Sequence, residues 1–233
     1  MGKALLVLVL IFSLVQPGFA QDNVPEGGAR PEAGPNPAGQ PALPSNQSVG
    51  SIRPVFTHLV GFSYPAGFAP VYEKANPSQY IQEAVKSGET VDNWTEMITV
   101  TGYKGFGASD RITPRVFAES LAGGYRKHCP TTFSAAVLGE AKVDGRDAFE
   151  VILGCGTADG SGSPHSESAL VVVIKGGQDF YTIQWSERTA PAAAPLSLDK
   201  EKWGERLKQL EPIRVCDRVP GEAAPYPSCV DRK

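Results

Sequence analysis

The stretch from Phe133 to Arg188 constrains the fold more than any other part of the chain, because its pattern is that of four strands in succession. The predicted strands cover residues 133–143, 146–155, 168–175 and 179–188. Asp144-Gly145, the strongest two-residue hairpin signal in the chain, joins the first pair. Gly176-Gly177-Gln178 turns the chain between the last two. Short turns join antiparallel neighbours, so the sequence predicts a four-strand antiparallel meander.

The third strand of this meander is apolar along its whole length, from Ala169 to Ile174. Successive side chains of a strand point to opposite faces of the sheet. A strand that is apolar on both faces must therefore be covered on both faces. The sequence predicts further elements packed on each side of the sheet.

Three segments have the caps and the apolar spacing of helices. Asn76-Pro77 opens the first, which would end at Gly88, and Thr113-Pro114 opens the second, which would end at Cys129-Pro130. The third runs from Asp199 to about Glu211. In each, apolar residues recur at intervals of three or four, as on the buried side of an amphipathic helix.

The first half of the domain adds an opening hairpin, 55–64 with 68–72, and a strand at 94–103. The predicted order is therefore hairpin, helix, strand, helix, meander and helix. This order indicates an α+β fold, with a mainly antiparallel sheet flanked by helices in a three-layer α/β/α sandwich.

Residues 1–20 have the layout of a cleaved secretory signal peptide. Lys3 precedes an apolar run from Ala4 to Val15, and Gly18 and Ala20 occupy the −3 and −1 positions of a cut before Gln21. The run is shorter than the roughly 20 residues of a membrane-spanning helix. We therefore expect an exported protein, periplasmic or secreted, with no transmembrane segment after cleavage.

The rest of the chain divides into three predicted parts. Residues 21–51 hold six prolines among small and polar residues, too few apolar groups to form a core, and are predicted to be a disordered tether. A proline-rich ligand for a partner domain is the alternative. Residues 52–215 form a single α+β domain, and residues 216–233 form a tail closed by a disulfide.

Four cysteines, Cys129, Cys155, Cys216 and Cys229, follow the signal peptide. In an oxidising compartment an even number predicts two disulfides, for which three pairings exist. Cys129–Cys155 and Cys216–Cys229 are favoured because each joins near neighbours in the chain. A metal site or a redox dithiol is the alternative, although no Cys-x-x-Cys and no Cys/His pair at ligand spacing is present.

The charge of the chain argues against nucleic acid as a partner. Lys3 is the one charged residue of the signal peptide, so 21 basic and 25 acidic residues remain after its removal. Binding to a phosphate backbone needs a concentrated positive surface, and no basic run is present. Docking to anionic lipid is disfavoured for the same reason.

No catalytic or metal motif emerges, and no cofactor is predicted. The glycine-rich stretch 102–109 lacks the Gly-Lys-Ser/Thr ending of a phosphate loop, and Gly160-Ser161-Gly162-Ser163 is not a nucleophile elbow. His165 is followed by Ser166-Glu167, yet the cysteine pair of zinc deaminases is missing. A Cys155/His165 nucleophilic pair needs a free thiol. Of the other two histidines, His58 lies in the first predicted strand, and His128 is favourably placed as a cation at a helix end, which is a structural role.

Two acids distant in sequence can still meet in space as a glycosidase-type pair. The acids on or near predicted strands are Asp110, Glu140, Glu150, Glu167 and Glu187, of which the last three lie where neighbouring strands bring residues together. Arg188 is a candidate for binding a carboxylate or for a surface ion pair. Five large aromatic residues are predicted to lie in the core: Trp94, Tyr103, Tyr181, Trp185 and Trp203. One or two of them could instead line a groove.

The opening Phe62-Ser63-Tyr64-Pro65-Ala66-Gly67-Phe68, with the order of elements that follows it, resembles the Mog1/PsbP-like fold family. The resemblance covers most of residues 52–215. It implies a protein that binds or scaffolds others and carries no shared catalytic residues. The four cysteines, the proline-rich lead and the tail depart from that pattern.

Two functions follow as hypotheses. The first is a non-enzymatic protein of the cell envelope that binds a protein partner or scaffolds an assembly. The second is a secreted hydrolase with an unrecognised carboxylate or serine site. A deep pocket with two carboxylates about 5–10 Å apart would favour the hydrolase. A flat apolar patch with a polar rim would favour the binding protein.

Overall fold

The computed structural model describes residues 48–158 and 164–230. The predicted signal peptide, nearly all of the predicted tether and the loop 160–163 lie outside the described residues. The strands are β1 (Val49–Val55), β2 (His58–Tyr64), β3 (Phe68–Ala75), β4 (Gln79–Lys86), β5 (Glu96–Tyr103), β6 (Phe133–Val143), β7 (Arg146–Ala158), β8 (His165–Gly176), β9 (Asp179–Thr189) and β10 (Arg214–Asp217). The helices are α1 (Pro114–His128), α2 (Lys200–Leu210) and the short α3 (Pro227–Val230), with a 3-10 turn at Phe106–Ala108.

Seven strands form one antiparallel sheet in the order β3-β4-β5-β9-β8-β7-β6. The predicted meander is confirmed as β6 to β9. Asp144 and Gly145 both have positive φ, as a two-residue hairpin of type I′ requires. The apolar strand β8 lies inside the sheet, and its residues from Ala169 to Ile174 are fully buried, as its sequence predicted.

One face of this large sheet is covered by α1. Phe117 stacks on Phe180 with ring centroids 4.7 Å apart, and Leu121 and Tyr125 pack beside Val171 in the same cluster. Thr113 caps the helix by accepting a hydrogen bond from the amide of Val116, as its sequence predicted.

The opposite face is covered by α2 and by a second, three-stranded sheet in the order β1-β2-β10. Trp203 and Leu210 of α2, with Phe62 and Val215 of the small sheet, pack against Ile183 and its neighbours. Asp199 caps α2 by accepting hydrogen bonds from two backbone amides. The α+β class is confirmed. The α/β/α layering is not, because one outer layer consists of a small sheet together with a helix.

The predicted helix 76–88 is wrong, since this stretch forms strand β4. Asn76 forms the hydrogen bonds of a cap, but in a turn between strands. Its side-chain oxygen accepts hydrogen bonds from the amides of Ser78 and Gln79, and its backbone amide donates to the carbonyl of Gln79. That turn joins β3 to β4. A helix of about eight residues is marginal by itself, whereas a strand between β3 and β5 has its backbone hydrogen bonds satisfied on both sides.

The predicted opening hairpin is also wrong in its pairing. Strand β2 pairs with β1, which begins at Val49, and not with β3, which belongs to the large sheet. The chain reverses at Phe56-Thr57, where Phe56 has a φ of 53°. Phenylalanine at a positive φ gives no turn signal in a sequence, so this hairpin was missed.

Candidate binding cavity

A cavity of about 370 Å³ lies on the outer side of the small sheet, where the C-terminal tail crosses it. Its lining combines β1 and β2 with the start of β10 and the tail, and consists of Gly50, Ser51, Ile52, Gly61, Phe62, Ser63, Pro212, Arg214, Ala224, Pro225, Tyr226 and Val230. The volume lies within the range of about 300–1,000 Å³ that ligand pockets occupy.

Gly61 lies in the floor of the cavity, where strand β1 packs closely against its backbone. A Cβ atom at this position would lie 3.1 Å from Cγ1 of Ile52 and 3.3 Å from the carbonyl oxygen of Ser51. Such contacts are tighter than ordinary van der Waals distances. Any larger residue at position 61 would therefore require Ile52 and the β1 backbone to shift, which would change the shape of the cavity floor.

The wall of the cavity is the tail, which a disulfide holds in place. Cys216 of β10 is bonded to Cys229 of α3, and both residues are fully buried. Within the tail, Glu222 accepts hydrogen bonds from the amide and the hydroxyl of Ser228, at 2.8 and 2.6 Å. Tyr226 packs against the buried disulfide and presents another edge to the cavity.

Among the described lining residues, Arg214 is the one that carries a charge. Its guanidinium lies 3.4 Å from a carboxylate oxygen of Asp144, in the β6–β7 turn, and the two side chains are 22% and 14% exposed. Asp144 also accepts a hydrogen bond from the amide of Val215 at 2.9 Å. The cavity therefore combines an apolar lining with a positive group that is fixed at its border.

The cysteines stand in the two favoured pairs, Cys129–Cys155 and Cys216–Cys229. The first pair ties the end of α1 to β7. Because Cys155 is bonded, it is no nucleophile for His165, whose ring lies 3.7 Å from the carboxylate of Glu167.

His58 lies in a buried polar cluster that joins the two sheets. Its Nδ1 lies 2.9 Å from the Tyr181 hydroxyl, and its Nε2 lies 3.2 Å from the Asp217 carboxylate. Burial lowers the pKa of His58, helped by the nearby charge of Arg146 and opposed by Asp217 and Asp179. The uncharged form of His58 is thus favoured at neutral pH, and its ring links the two sheets through these polar contacts. His128 lies half-buried at the C-terminal end of α1, the position that its sequence predicted.

The structure separates the three acids that the sequence placed as possible partners. Glu167 contacts the Tyr125 hydroxyl on the α1 face, whereas Glu187 pairs with Arg206 of α2 on the opposite face. Glu150 pairs in register with Val172 of β8. Glu187 pairs with Ser168, which lies four residues away along the same strand. These three acids therefore form no catalytic pair.

The remaining acids, Arg188 and the large aromatic residues that the sequence singled out lie in ion pairs, at exposed positions or in the core. Glu140 pairs with Arg115 at the surface, and Asp110 is exposed beyond the 3-10 turn. Arg188 stacks on the Trp94 ring at 3.8 Å, and its Nε lies 3.3 Å from Glu167. The five large aromatics singled out by the sequence are all buried, at most 8% exposed.

The sequence analysis did not single out the cavity residues Gly61, Arg214 and Tyr226. It also placed Glu83 in a helix, whereas this residue lies in strand β4. The cavity is assembled from residues 50–63 and 212–230, which are distant in the chain, and no local pattern marks such an arrangement. Within residues 48–158 and 164–230, no group of three or more His, Cys, Asp or Glu side chains is placed to hold a metal ion. No helix in the same ranges is long and apolar enough to cross a membrane.

No family model and no curated protein matches the sequence. Solved structures do match. The Ran-binding protein Mog1p of Saccharomyces cerevisiae is 15% identical, with a TM-score of 0.38 over 70% of this chain and 85% of that one. A point mutant of Mog1 is 14% identical, with a TM-score of 0.36 over the same shares of the two chains.

A protein from Bacteroides thetaiotaomicron is 10% identical, with a TM-score of 0.36 over 70% of this chain. The match covers 46% of that protein, so this chain spans about half its length. The similarity to Mog1 that the sequence indicated is found again among these structures. Likeness at these scores concerns the general fold, and no function follows from it.

Proposed function

We propose that this protein is exported to the cell envelope and binds a partner protein there without catalysing a reaction. The observation that carries the proposal is the cavity between the small sheet and the disulfide-held tail. It is preformed, it has the volume of a binding pocket, and its polar contact is supplied by Arg214.

The proposal commits to one occupant, an extended segment of the partner that carries an acidic side chain beside apolar ones. The acidic group would complement the positive charge of Arg214, which also lies 3.4 Å from a carboxylate oxygen of Asp144. The apolar groups would pack on Ile52 and Tyr226 beside Gly61. No observation favours hydrolysis, because the acids singled out by the sequence are engaged or far apart.

Export is supported by the layout of residues 1–20 and by two disulfides, which persist in oxidising compartments. We expect N-terminal sequencing of the protein from the envelope fraction of its own host to begin at Gln21. A chain that keeps Met1 and stays in the reducing cytoplasm would contradict the export part of the proposal.

Binding in the cavity is tested with two matched positions for a photo-crosslinking amino acid. Val230 borders the cavity and is 48% exposed, whereas Val116 lies on α1 and is 44% exposed. We expect crosslinking in living cells to join position 230, and not position 116, to one partner segment with an acidic residue. An intramolecular crosslink from position 230 to residues 21–47 would contradict a separate partner and assign the cavity to the chain's own lead.

A synthetic peptide of the crosslinked segment then tests the contacts. We expect Gly61→Ala, which places a methyl group in the floor, and Arg214→Gln, which removes the positive charge, each to weaken binding about tenfold or more by calorimetry. Gly139→Ala is the control. Gly139 lies on β6, away from the cavity lining, and a Cβ atom there would meet nothing within 4 Å. Equal binding by all three variants would exclude the cavity as the site.

A further inference from the structure

The two outer edges of the small sheet differ in how their backbone groups are satisfied. At the β10 edge, the amide of Val215 donates a hydrogen bond to the carboxylate of Asp144 at 2.9 Å. The carbonyl oxygen of Val215 accepts a hydrogen bond from Nε of Arg146 at 3.0 Å. Side chains of the β6–β7 hairpin therefore cover this edge against further pairing.

The strand register identifies the backbone groups that β1 turns outward at the other edge. Because Val215 points away from β2, its two neighbours in β10 bond to β2, and Gly61 is one of the residues that they bond. A residue bonded to the strand on one side turns no backbone group to the strand on the other side. Ile52 is the partner of Gly61 on β1, so its amide and carbonyl point to the outer edge. The alternation along the strand gives Gly50 the same orientation.

This edge of β1 is free among the described residues. β1 is the outermost strand of its sheet, and Gly50 is exposed. Within residues 48–158 and 164–230, no side chain or loop bonds to the outward backbone groups of Gly50 and Ile52. Residues 49–53 contain no bulge and no proline, whereas the outer strand β3 has a bulge beside Pro70. Bulges and prolines protect edges from pairing, so β1 is open to an added strand.

The outward edge of β1 borders the cavity. Gly50 and Ile52 both line the cavity, together with Gly61 and Arg214, which follow Ile52 in register across the small sheet. Successive side chains of a strand point to opposite faces of the sheet. Every second side chain of a strand added at β1 would therefore lie on the cavity side.

We propose that the partner's extended segment binds as a fourth strand of the small sheet, hydrogen-bonded to the outward amides and carbonyls of Gly50 and Ile52. This strand addition rests on the proposed function, and it specifies how the segment is held. In this mode of recognition, backbone hydrogen bonds supply the affinity and pockets for alternate side chains supply the specificity. The cavity with Arg214 is the pocket, and its positive charge selects an acidic side chain.

Charge and composition favour a separate partner over segments of this chain. β1 carries one charged residue, Arg53, so a second copy of β1 would bring no acidic group to Arg214. Residues 21–47 contain six prolines, each of which lacks the amide that a strand must donate. An acidic partner segment without prolines meets both requirements.

Hydrogen exchange of the full mature chain, followed by nuclear magnetic resonance, tests whether the edge is free. We expect the amides of Gly50 and Ile52 to exchange about tenfold or more faster than those of Ser51 and Arg53, which bond to β2. Equal protection of all four amides would overturn the proposal. Protection that grows with protein concentration would assign the edge to a second copy, and protection at every concentration would assign it to residues 21–47.

The synthetic peptide of the crosslinked segment tests strand addition directly. We expect it to slow the exchange of Gly50 and Ile52 about tenfold or more. Methylation of one peptide nitrogen at a time should weaken binding about tenfold at every second position and leave the positions between them nearly unchanged. A peptide that binds in calorimetry without this alternation and without protecting the two amides would overturn strand addition and leave binding in the cavity standing. A peptide that does not bind at all would overturn the proposed function, and strand addition with it.

Gly50→Pro and Gly50→Ala form a matched pair on the protein side. A Cβ atom at position 50 meets nothing within 4 Å, and proline additionally removes the outward amide, which takes no part in the β1–β2 ladder. We expect Gly50→Pro to bind the peptide about tenfold or more weakly than Gly50→Ala. Equal affinities would overturn strand addition at this edge. Thermal unfolding verifies that both variants are folded, and the methylated peptides test the same hydrogen bonds in the unaltered protein.

Discussion

Serine at both Cys216 and Cys229 is expected to lower the free energy of unfolding by about 3 kcal/mol and to abolish binding of the partner peptide. The two cysteines are 13 residues apart, and in the chain-entropy model closing a loop of roughly this length stabilises by about 3 kcal/mol. The buried apolar contacts of the tail centre on the disulfide, where Tyr226 of the tail packs with Leu59 and Ile52 of the small sheet. Without the bond, the wall of the cavity is released.

The matched control is the double serine variant of Cys129 and Cys155, which are 26 residues apart and lie against α1, away from the cavity. We expect this variant to lose about as much stability and to keep the peptide affinity. Urea unfolding measures the first quantity and calorimetry the second. Peptide binding that survives in the Cys216/Cys229 variant would show that the tail is no wall of the site.

Glu83→Gln is expected to stabilise the protein at pH 8 and to have little effect at pH 4. The folded pKa of Glu83 is about 7, raised from 4.5 by burial, so between these values the folded state holds the proton and the unfolded state does not. The stability linked to this group is therefore full at low pH and is lost as the pH rises through about 7. With the side chain half-buried and solvent screening counted, removing the charge should add about 1–3 kcal/mol at pH 8.

Urea unfolding of both proteins at several pH values checks this expectation. The difference between the two stability curves should grow from pH 4.5 to pH 7 and then stay constant. A variant less stable than the wild type at pH 8 would mean that ionised Glu83 has a partner after all.

The sequence correctly indicated those elements whose local signals agree with their tertiary surroundings. Asp144-Gly145 needs the positive φ values that a tight hairpin has, and Thr113 and Asp199 cap the helices that they open. The stretch 169–174 is apolar on both faces because both faces are covered. In each case the residue type serves the same backbone conformation in a short peptide and in the folded chain.

Local signals failed where two structures compete for the same residues. Asn76 stabilises a turn in either case, and the apolar pattern of residues 80–85 fits one helix stripe as well as two strand faces. Pairing with β3 and β5 decided for the strand, and the sequence does not contain that information locally. The β1–β2 hairpin turns at Phe56-Thr57, where Phe56 has a positive φ although its residue type gives no turn signal.

The sequence by itself determined the antiparallel meander, the two capped helices, the α+β class and the cysteines that form disulfides, because periodicity, capping and spacing are local properties. The tertiary structure decided where functional groups meet. The cavity joins Gly61 to Arg214 and Tyr226. These residues belong to segments far apart in the chain, and only the pairing of the strands and the crossing of the tail bring them together.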